Sequence, residues 1–255
     1  MVKNIIDLRD RQILVAGASS GIGRDTAILL SELGAKVILI ARREDKLQEV
    51  MQKLYGSSHA YYCADLCETD EIEALVSKIV EENGKLDGLV YAAGVGTSMP
   101  LMQFKPNKVK SVFDINFFGF VEMVRQVCRK GRYNEGMRIV GISSVAATRG
   151  DKSHMAYSAS KAAMDGAVRC IAKEVADKGI CINTVAPAMT ATDMYVHYLG
   201  KYGEDSGSNQ DLLKRQYLGV AQTSDVAAAI AYLICPAARF ITGISFPVDG
   251  GMTTS

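Results

Sequence analysis

A short apolar, β-branched run, then a turn, then a longer stretch with helical periodicity: this unit recurs along the chain and limits the fold more than any other feature. The pattern predicts strands over residues 13–16, 37–41, 59–63, 88–92, 138–143, 181–185 and 245–248. Helices are predicted over 22–33, 44–54, 70–82, 107–130, 156–177 and 225–233. Apolar strands alternating with amphipathic helices imply parallel strands joined by crossover helices, with both sheet faces covered. The expected class is therefore α/β, a doubly wound parallel sheet flanked by helices. No proline-rich or low-complexity linker interrupts the alternation, so residues 1–255 are expected to form one domain.

Residues 192–224 break the rhythm. They carry Gly200, Gly203, Gly207, several charges and only a weak helical signal over 211–217. Ligands of open α/β sheets bind at the carboxyl ends of the strands, so a long insertion after a strand is expected to act as a substrate lid. Tyr195, Tyr198, Tyr202 and Tyr217 within it favour a packed element over a loose excursion.

Charge and composition narrow the partners. With a formal net charge of +1, the chain offers no global attraction for nucleic acid or an anionic membrane. No uncharged apolar stretch reaches the roughly 20 residues of a membrane span. The first eleven residues lack the apolar core of a signal peptide, which points to the cytoplasm. The six cysteines and three histidines are scattered and match no metal-site spacing. Reduced, mostly buried thiols are expected.

The first strand runs into Gly17-Ala18-Ser19-Ser20-Gly21-Ile22-Gly23, where a helix opens. Glycines here let backbone approach a pyrophosphate, and the helix start supplies unpaired N–H groups and a positive dipole end. The spacing is G-x-x-x-G-x-G, not the general G-x-G-x-x-G. At the end of the second strand, where NAD-binding sites usually place an acidic residue for the ribose, stand Ala41, Arg42 and Arg43. Guanidinium groups bind a 2′-phosphate through charge-assisted hydrogen bonds, so NADP(H) is favoured over NAD(H). The competing reading has both arginines occupied by Glu44 and Asp45.

Tyr157-Ser158-Ala159-Ser160-Lys161 sets a phenol and an ammonium four residues apart, on one face of a helix. A free tyrosine titrates at about 10, and a neighbouring positive charge is expected to lower that value toward a usable acid or base.

With these elements in order, the chain resembles the short, single-domain branch of the short-chain dehydrogenase/reductase family, and within it the 3-oxoacyl-carrier-protein reductases. The likeness includes Asp65 after the third strand, Ala92-Ala93-Gly94 after the fourth, Asn116 in the next helix and Ser144 thirteen residues before Tyr157. It continues through Pro187 to Thr192 and Val248-Asp249-Gly250-Gly251.

The resemblance implies a Rossmann-type fold and a catalytic set of Asn116, Ser144, Tyr157 and Lys161. Tyr157 would pass a proton to the substrate oxygen as hydride arrives. Ser144 would hydrogen-bond that oxygen. Lys161 would hold the nicotinamide ribose and tune the phenol, and Asn116 would help reload the proton. Gly17, Ser19, Ser20, Gly21, Ile22, Gly23, Arg42, Arg43, Asp65, Leu66, Ala92, Ala93, Gly94, Pro187, Thr190 and Thr192 would contact cofactor. A helix- or turn-capping role stays open for Asn116 and Thr192.

Two departures stand out. The family's frequent Asn-Asn-Ala-Gly turn is here Tyr91-Ala92-Ala93-Gly94, so amide bonds that brace the turn are missing. Its Pro-Gly after the sixth strand is Pro187-Ala188.

The implied activity is reduction of a ketone or 3-oxoacyl carbonyl, or the reverse oxidation of an alcohol, sugar or polyol. A carrier-borne substrate would find basic residues at Arg125, Arg129, Lys130, Arg132 and Lys178. Homo-oligomers, a tetramer or a dimer, are expected from the likeness. A non-catalytic cofactor sensor is the competing class, and the intact Asn116, Ser144, Tyr157 and Lys161 argue against it.

Overall fold

A computed structural model describes residues 6–202 and 214–254. Seven strands form one parallel sheet in the order β3-β2-β1-β4-β5-β6-β7. They are β1 Gln12–Ala16, β2 Lys36–Ala41, β3 Ala60–Cys63, β4 Leu86–Tyr91, β5 Tyr133–Ile142, β6 Cys181–Pro187 and β7 Ser245–Val248. The helices are α1 Gly21–Glu32, α2 Glu44–Met51, α3 Ile72–Asn83, α4 Pro106–Phe113, α5 Gly119–Val127, α6 Met155–Val175, α7 Asp193–Tyr202 and α8 Thr223–Ile234.

Strand alternation sorts the apolar residues into two cores. Leu14, Ala16, Ile38, Ile40, Leu89 and Tyr91 point to the face covered by α3, α5 and α6. Ile13, Val15, Val37, Leu39 and Val90 point to the face covered by α1, α2 and α8. A strand buried on both faces needs an unbroken apolar run, which is what β1 and β2 supply. The doubly wound fold expected from the sequence is present. Strand order reverses between β1 and β4, and the crevice at that switch point is where such sheets hold ligands.

Three local expectations need correction. The single helix over 107–130 is broken into α4, a π-helical turn at Asp114–Phe118, and α5. Periodicity alone does not register one extra residue in a turn, and this turn carries Asn116. The second correction is α7, a ten-residue helix at the start of the insertion, ahead of the 211–217 stretch where the helical signal was expected. Its start is set by Thr192, whose hydroxyl accepts from the Tyr195 amide at 3.3 Å. Of the weak signal over 211–217, residues 211–213 lie outside the described residues, while Lys214 and Arg215 are helical. Third, only Cys181 and Cys235 are buried; Cys63 and Cys170 are exposed, since Cys63 ends the edge strand β3. None of the six is in a disulfide.

Among the described residues no helix is long and apolar enough to cross a membrane, and no three His, Cys, Asp or Glu are placed to hold a metal ion.

Candidate active site

The glycine turn lies between the carboxyl ends of β1 and β4. Gly17 has φ +82°, and a Cβ built on it would stand 2.4 Å from the Ala93 nitrogen. On Gly23 a Cβ would fall 2.2 Å from the Gly17 carbonyl oxygen and 3.1 Å from the Ala92 Cβ. Ser19, Ser20, Gly21 and Ile22 complete the turn and carry it into α1. Ser20 precedes that helix without capping it through its side chain, and no acidic residue sits in the first turn. The start of α1 thus carries N–H groups that no side chain of Ser20 caps, beside glycines that leave no room for a Cβ, with no acidic residue in its first turn. That is a fit for a pyrophosphate.

Across the switch point, β5 and α6 bring the polar set together. Ser144 follows β5; its hydroxyl accepts from the Ala146 amide at 3.1 Å and reaches the Pro187 carbonyl at 3.5 Å. Lys161 is buried and donates to the Ile142 carbonyl at 2.6 Å, with its nitrogen 5.9 Å from the centroid of the Tyr157 ring. Asn116 is fully buried. Its carbonyl oxygen accepts from the Val95 amide at 2.8 Å, while its amide donates to the Val95 carbonyl and the Ser160 hydroxyl, each at 3.0 Å. Ser160 in turn donates to the Tyr157 carbonyl at 2.7 Å. Gly94 lies against this cluster: a Cβ there would come 3.0 Å from the Asn116 oxygen and 3.4 Å from the Lys161 nitrogen. Asn116 caps nothing; the bonds tie it to the loop after β4.

The electrostatics depart from the sequence expectation. Burial pushes the Tyr157 phenol above its ordinary value of 10, and the hydrogen bond with Ser144 only partly opposes this. Lys161 does not offset this, and its ammonium is itself penalised by burial. Burial drives it from 10.5 down to about 8, against the opposing charge of Asp165. That carboxylate, one turn further along α6, accepts from the Thr184 hydroxyl at 2.7 Å.

The burden on Lys161 has a measurable sign. Between about 8 and 10.5 the unfolded chain binds the proton that the folded chain has lost, so stability rises with pH through that window. The rise corresponds to about 3 kcal/mol. Urea unfolding of the wild type and of Lys161→Met, on either side of the window, should show the wild type gaining that much relative to the variant. An unchanged difference would mean that the ammonium is not held under this penalty.

Beyond β2 and β3, the exposed Arg42 pairs with the half-buried Asp65 at 3.5 Å. Burial would raise the Asp65 carboxyl, but the Cys67 amide and the Arg42 guanidinium hold it below its ordinary value. Arg43 donates to the hydroxyls of Ser19 at 3.2 Å and Ser20 at 3.4 Å. The competing reading had both arginines occupied by Glu44 and Asp45; their partners here are Asp65, Ser19 and Ser20. Glu44 accepts instead from the Tyr61 hydroxyl at 3.1 Å. Leu66, beside Asp65, is buried in the core.

The chain after β6 is stitched at its base. Gln216, fully buried, accepts from the Met189 amide at 3.0 Å and donates to the Met189 carbonyl at 2.9 Å. Thr190 bridges to Ala221, so both ends of the insertion return to one place. Thr192 rests its methyl 3.4 Å from where a Gly21 Cβ would be, and Met194 of α7 packs onto Gly96. The insertion therefore borders the glycine turn on one side and the loop after β4 on the other. Thr192 both caps α7 and faces the cleft.

Several of the basic residues expected to receive a carrier have partners within the chain. Arg125 pairs with Glu122, and Arg129 pairs with Glu73. They lie where α5 ends and β5 begins, at the opposite end of the sheet from this chain's own cleft.

Sequence reading missed Gln216, Asp165 and Tyr91. Gln216 and Tyr91 act on residues far away in the chain, while Asp165, one turn from Lys161, matters because both are buried. Only Tyr91 left a trace, as a departure from the family turn.

Comparisons with known proteins bear on the family and the fold. A family model described as enoyl-(acyl carrier protein) reductase matches residues 17–253. A 3-oxoacyl-[acyl-carrier-protein] reductase of Vibrio cholerae is 32% identical over 97% of this chain and 99% of its own length. An L-xylulose reductase of Caenorhabditis elegans is 31% identical over 98% of each chain. A glucose 1-dehydrogenase of Gluconobacter oxydans is 33% identical over 95% of this chain and 92% of its own. Among solved structures, a dehydrogenase/reductase from Sinorhizobium meliloti superposes with a TM-score of 0.87 at 30% identity, covering 97% of each chain. These relatives are named for different substrates, so what they share with this protein is the reaction class. On that footing the chain belongs to the short-chain dehydrogenase/reductase family of nicotinamide-linked oxidoreductases.

Proposed function

We propose that this protein is an NADP(H)-dependent reductase that converts a ketone or 3-oxoacyl carbonyl to the alcohol, with Tyr157, Ser144, Lys161 and Asn116 as its working residues. The observation that carries the reading is the meeting of the Tyr157–Ser144–Lys161 cluster and the glycine cradle at the same carboxyl edge of the sheet.

A reduced nicotinamide, when bound, supplies the hydride. As the carbonyl carbon accepts it, the π pair moves to oxygen, where Tyr157 gives up its proton and Ser144 donates a hydrogen bond. The phenolate left behind is reprotonated from solvent, while Lys161 would hold the nicotinamide ribose. A phenol raised by burial stays protonated at neutral pH, and that is the form reduction needs. The developing alkoxide is a stronger base than phenolate, so the proton moves downhill. Oxidation in the reverse direction needs the phenolate and gains as pH rises.

The cradle of Gly17, Gly21 and Gly23 with the open start of α1 would hold the pyrophosphate. Asp65, Leu66, Ala92, Ala93 and Gly94 would border the adenosine, and Pro187, Thr190 and Thr192 the nicotinamide. Arg42 and Arg43 are the phosphate readers: both side chains lie at the end of β2, and neither is taken up by Glu44. Residues 192–224 would close over the substrate, with the stitched base at Met189, Gln216 and Ala221 as their anchor.

The test is NADPH and NADH oxidation with a panel of ketones, ketoses and 3-oxoacyl thioesters. In an Arg42→Ala, Arg43→Ala double variant, NADPH affinity should fall about tenfold or more while NADH affinity stays close to wild type. An unchanged NADPH preference would remove the arginines from the reading. Tight NADPH binding without turnover anywhere in the panel would favour a cofactor sensor.

A further inference from the structure

Tyr91 ends β4, where the family's turn usually begins with asparagine, and it is fully buried. Its ring meets Phe120 edge-on at 5.4 Å between centroids. Its hydroxyl donates to the Ile115 carbonyl at 2.7 Å, inside the π-helical turn. In that turn the Gly119 amide reaches back to the Asp114 carbonyl, five residues earlier. Such a turn gives up regular bonding and needs support from outside.

The next residue, Asn116, returns the connection by gripping both backbone groups of Val95, four residues beyond Tyr91. Loop and turn are thus joined at two points, Tyr91 to Ile115 and Asn116 to Val95. Gly119 makes room for the first point: a Cβ there would stand 2.7 Å from the Tyr91 oxygen and 2.4 Å from the Leu66 carbonyl oxygen.

We infer that Tyr91 is a positioning residue whose hydroxyl holds the π-helical turn in place, and through it sets Asn116 and the loop 92–96 against Lys161. It supplies from the strand end the brace that the Tyr91-Ala92-Ala93-Gly94 sequence lacks in the turn itself. Tyr91 touches no reacting atom. Its effect passes through Asn116, and the kinetic consequence rests on the reductase reading above, whereas the structural one does not.

Two measurements on Tyr91→Phe test this, with Phe120→Leu as the comparison. Phenylalanine keeps the ring against Phe120 and removes only the hydroxyl; leucine at 120 loosens the packing and leaves the hydroxyl bond. Hydrogen exchange at the Val95 amide, which reports its bond to Asn116, should quicken roughly tenfold in Tyr91→Phe and stay near wild type in Phe120→Leu. With a ketone that the wild type turns over, kcat should fall about ten- to a hundredfold in Tyr91→Phe with KM for NADPH unchanged. Phe120→Leu should lower thermal stability without that loss of kcat. Unchanged Val95 exchange in Tyr91→Phe overturns the inference, whether or not a substrate is found. So does a drop in stability with kcat intact. A wild type that turns over no ketone would count against the reductase reading, and the exchange result would still decide the role of Tyr91.

Discussion

Replacing Tyr157 by phenylalanine is expected to lower kcat for ketone reduction by about a hundredfold to ten-thousandfold, the usual range for loss of a positioned acid. The ring fills the same volume, so the fold and the cofactor cradle should be undisturbed. What disappears is the proton that the substrate oxygen takes as hydride reaches its carbon. The phenol is half-buried, and burial holds it above its ordinary value despite the Ser144 bond. Ser144 would keep its link to the Ala146 amide and could still polarise the carbonyl, which accounts for residual turnover. NADPH affinity, measured by fluorescence titration, should move little. Turnover untouched by the substitution would place the proton donor elsewhere.

Gly17→Ala should do damage of another kind. At φ +82° an L-residue is strained whatever the space, and here there is none, since the new methyl carbon would lie 2.4 Å from the Ala93 nitrogen. Backbone cannot yield as a side-chain tip can, so the turn must move away from β4. The cost is about 2–4 kcal/mol in stability. With the turn displaced, the N–H groups at the start of α1 no longer converge, and NADPH binding should become undetectable at concentrations that saturate the wild type. Gly150→Ala is the comparison, because nothing lies within 4 Å of the added carbon and its φ is not in the left-handed region. That variant should match the wild type in urea unfolding and in NADPH titration. Equal behaviour of the two variants would remove the close approach of Gly17 to Ala93 from the account of the cradle.

Much of this protein could be read before any fold was known. The β–α alternation and the seven strand positions follow from periodicities of two and 3.6, which are properties of short windows. The glycine turn and the Tyr157–Lys161 pair were equally legible, because their chemistry depends on spacings within a single turn or helix. Arg42 and Arg43 were visible as types, though not their resting partners: Ser19 and Ser20 on one loop, Asp65 on another.

Other features came only from chain segments brought together from far apart. The break in the helix around Asn116 depends on Tyr91 and Gly119 meeting across the core. The phenol's value moved up rather than down because burial outweighed the Ser144 hydrogen bond, and burial belongs to the folded body. The basic residues near the end of α5 were visible as types, whereas the pairing of Arg129 with Glu73 was not.

Hydrophobic period and turn chemistry were thus determined by the sequence itself, since each is written in residues a few positions apart. Which buried groups carry charge, which carbonyl a hydroxyl finds and where a helix gives way were decided by the tertiary structure, because burial and long-range partners exist only once the sheet has closed around them.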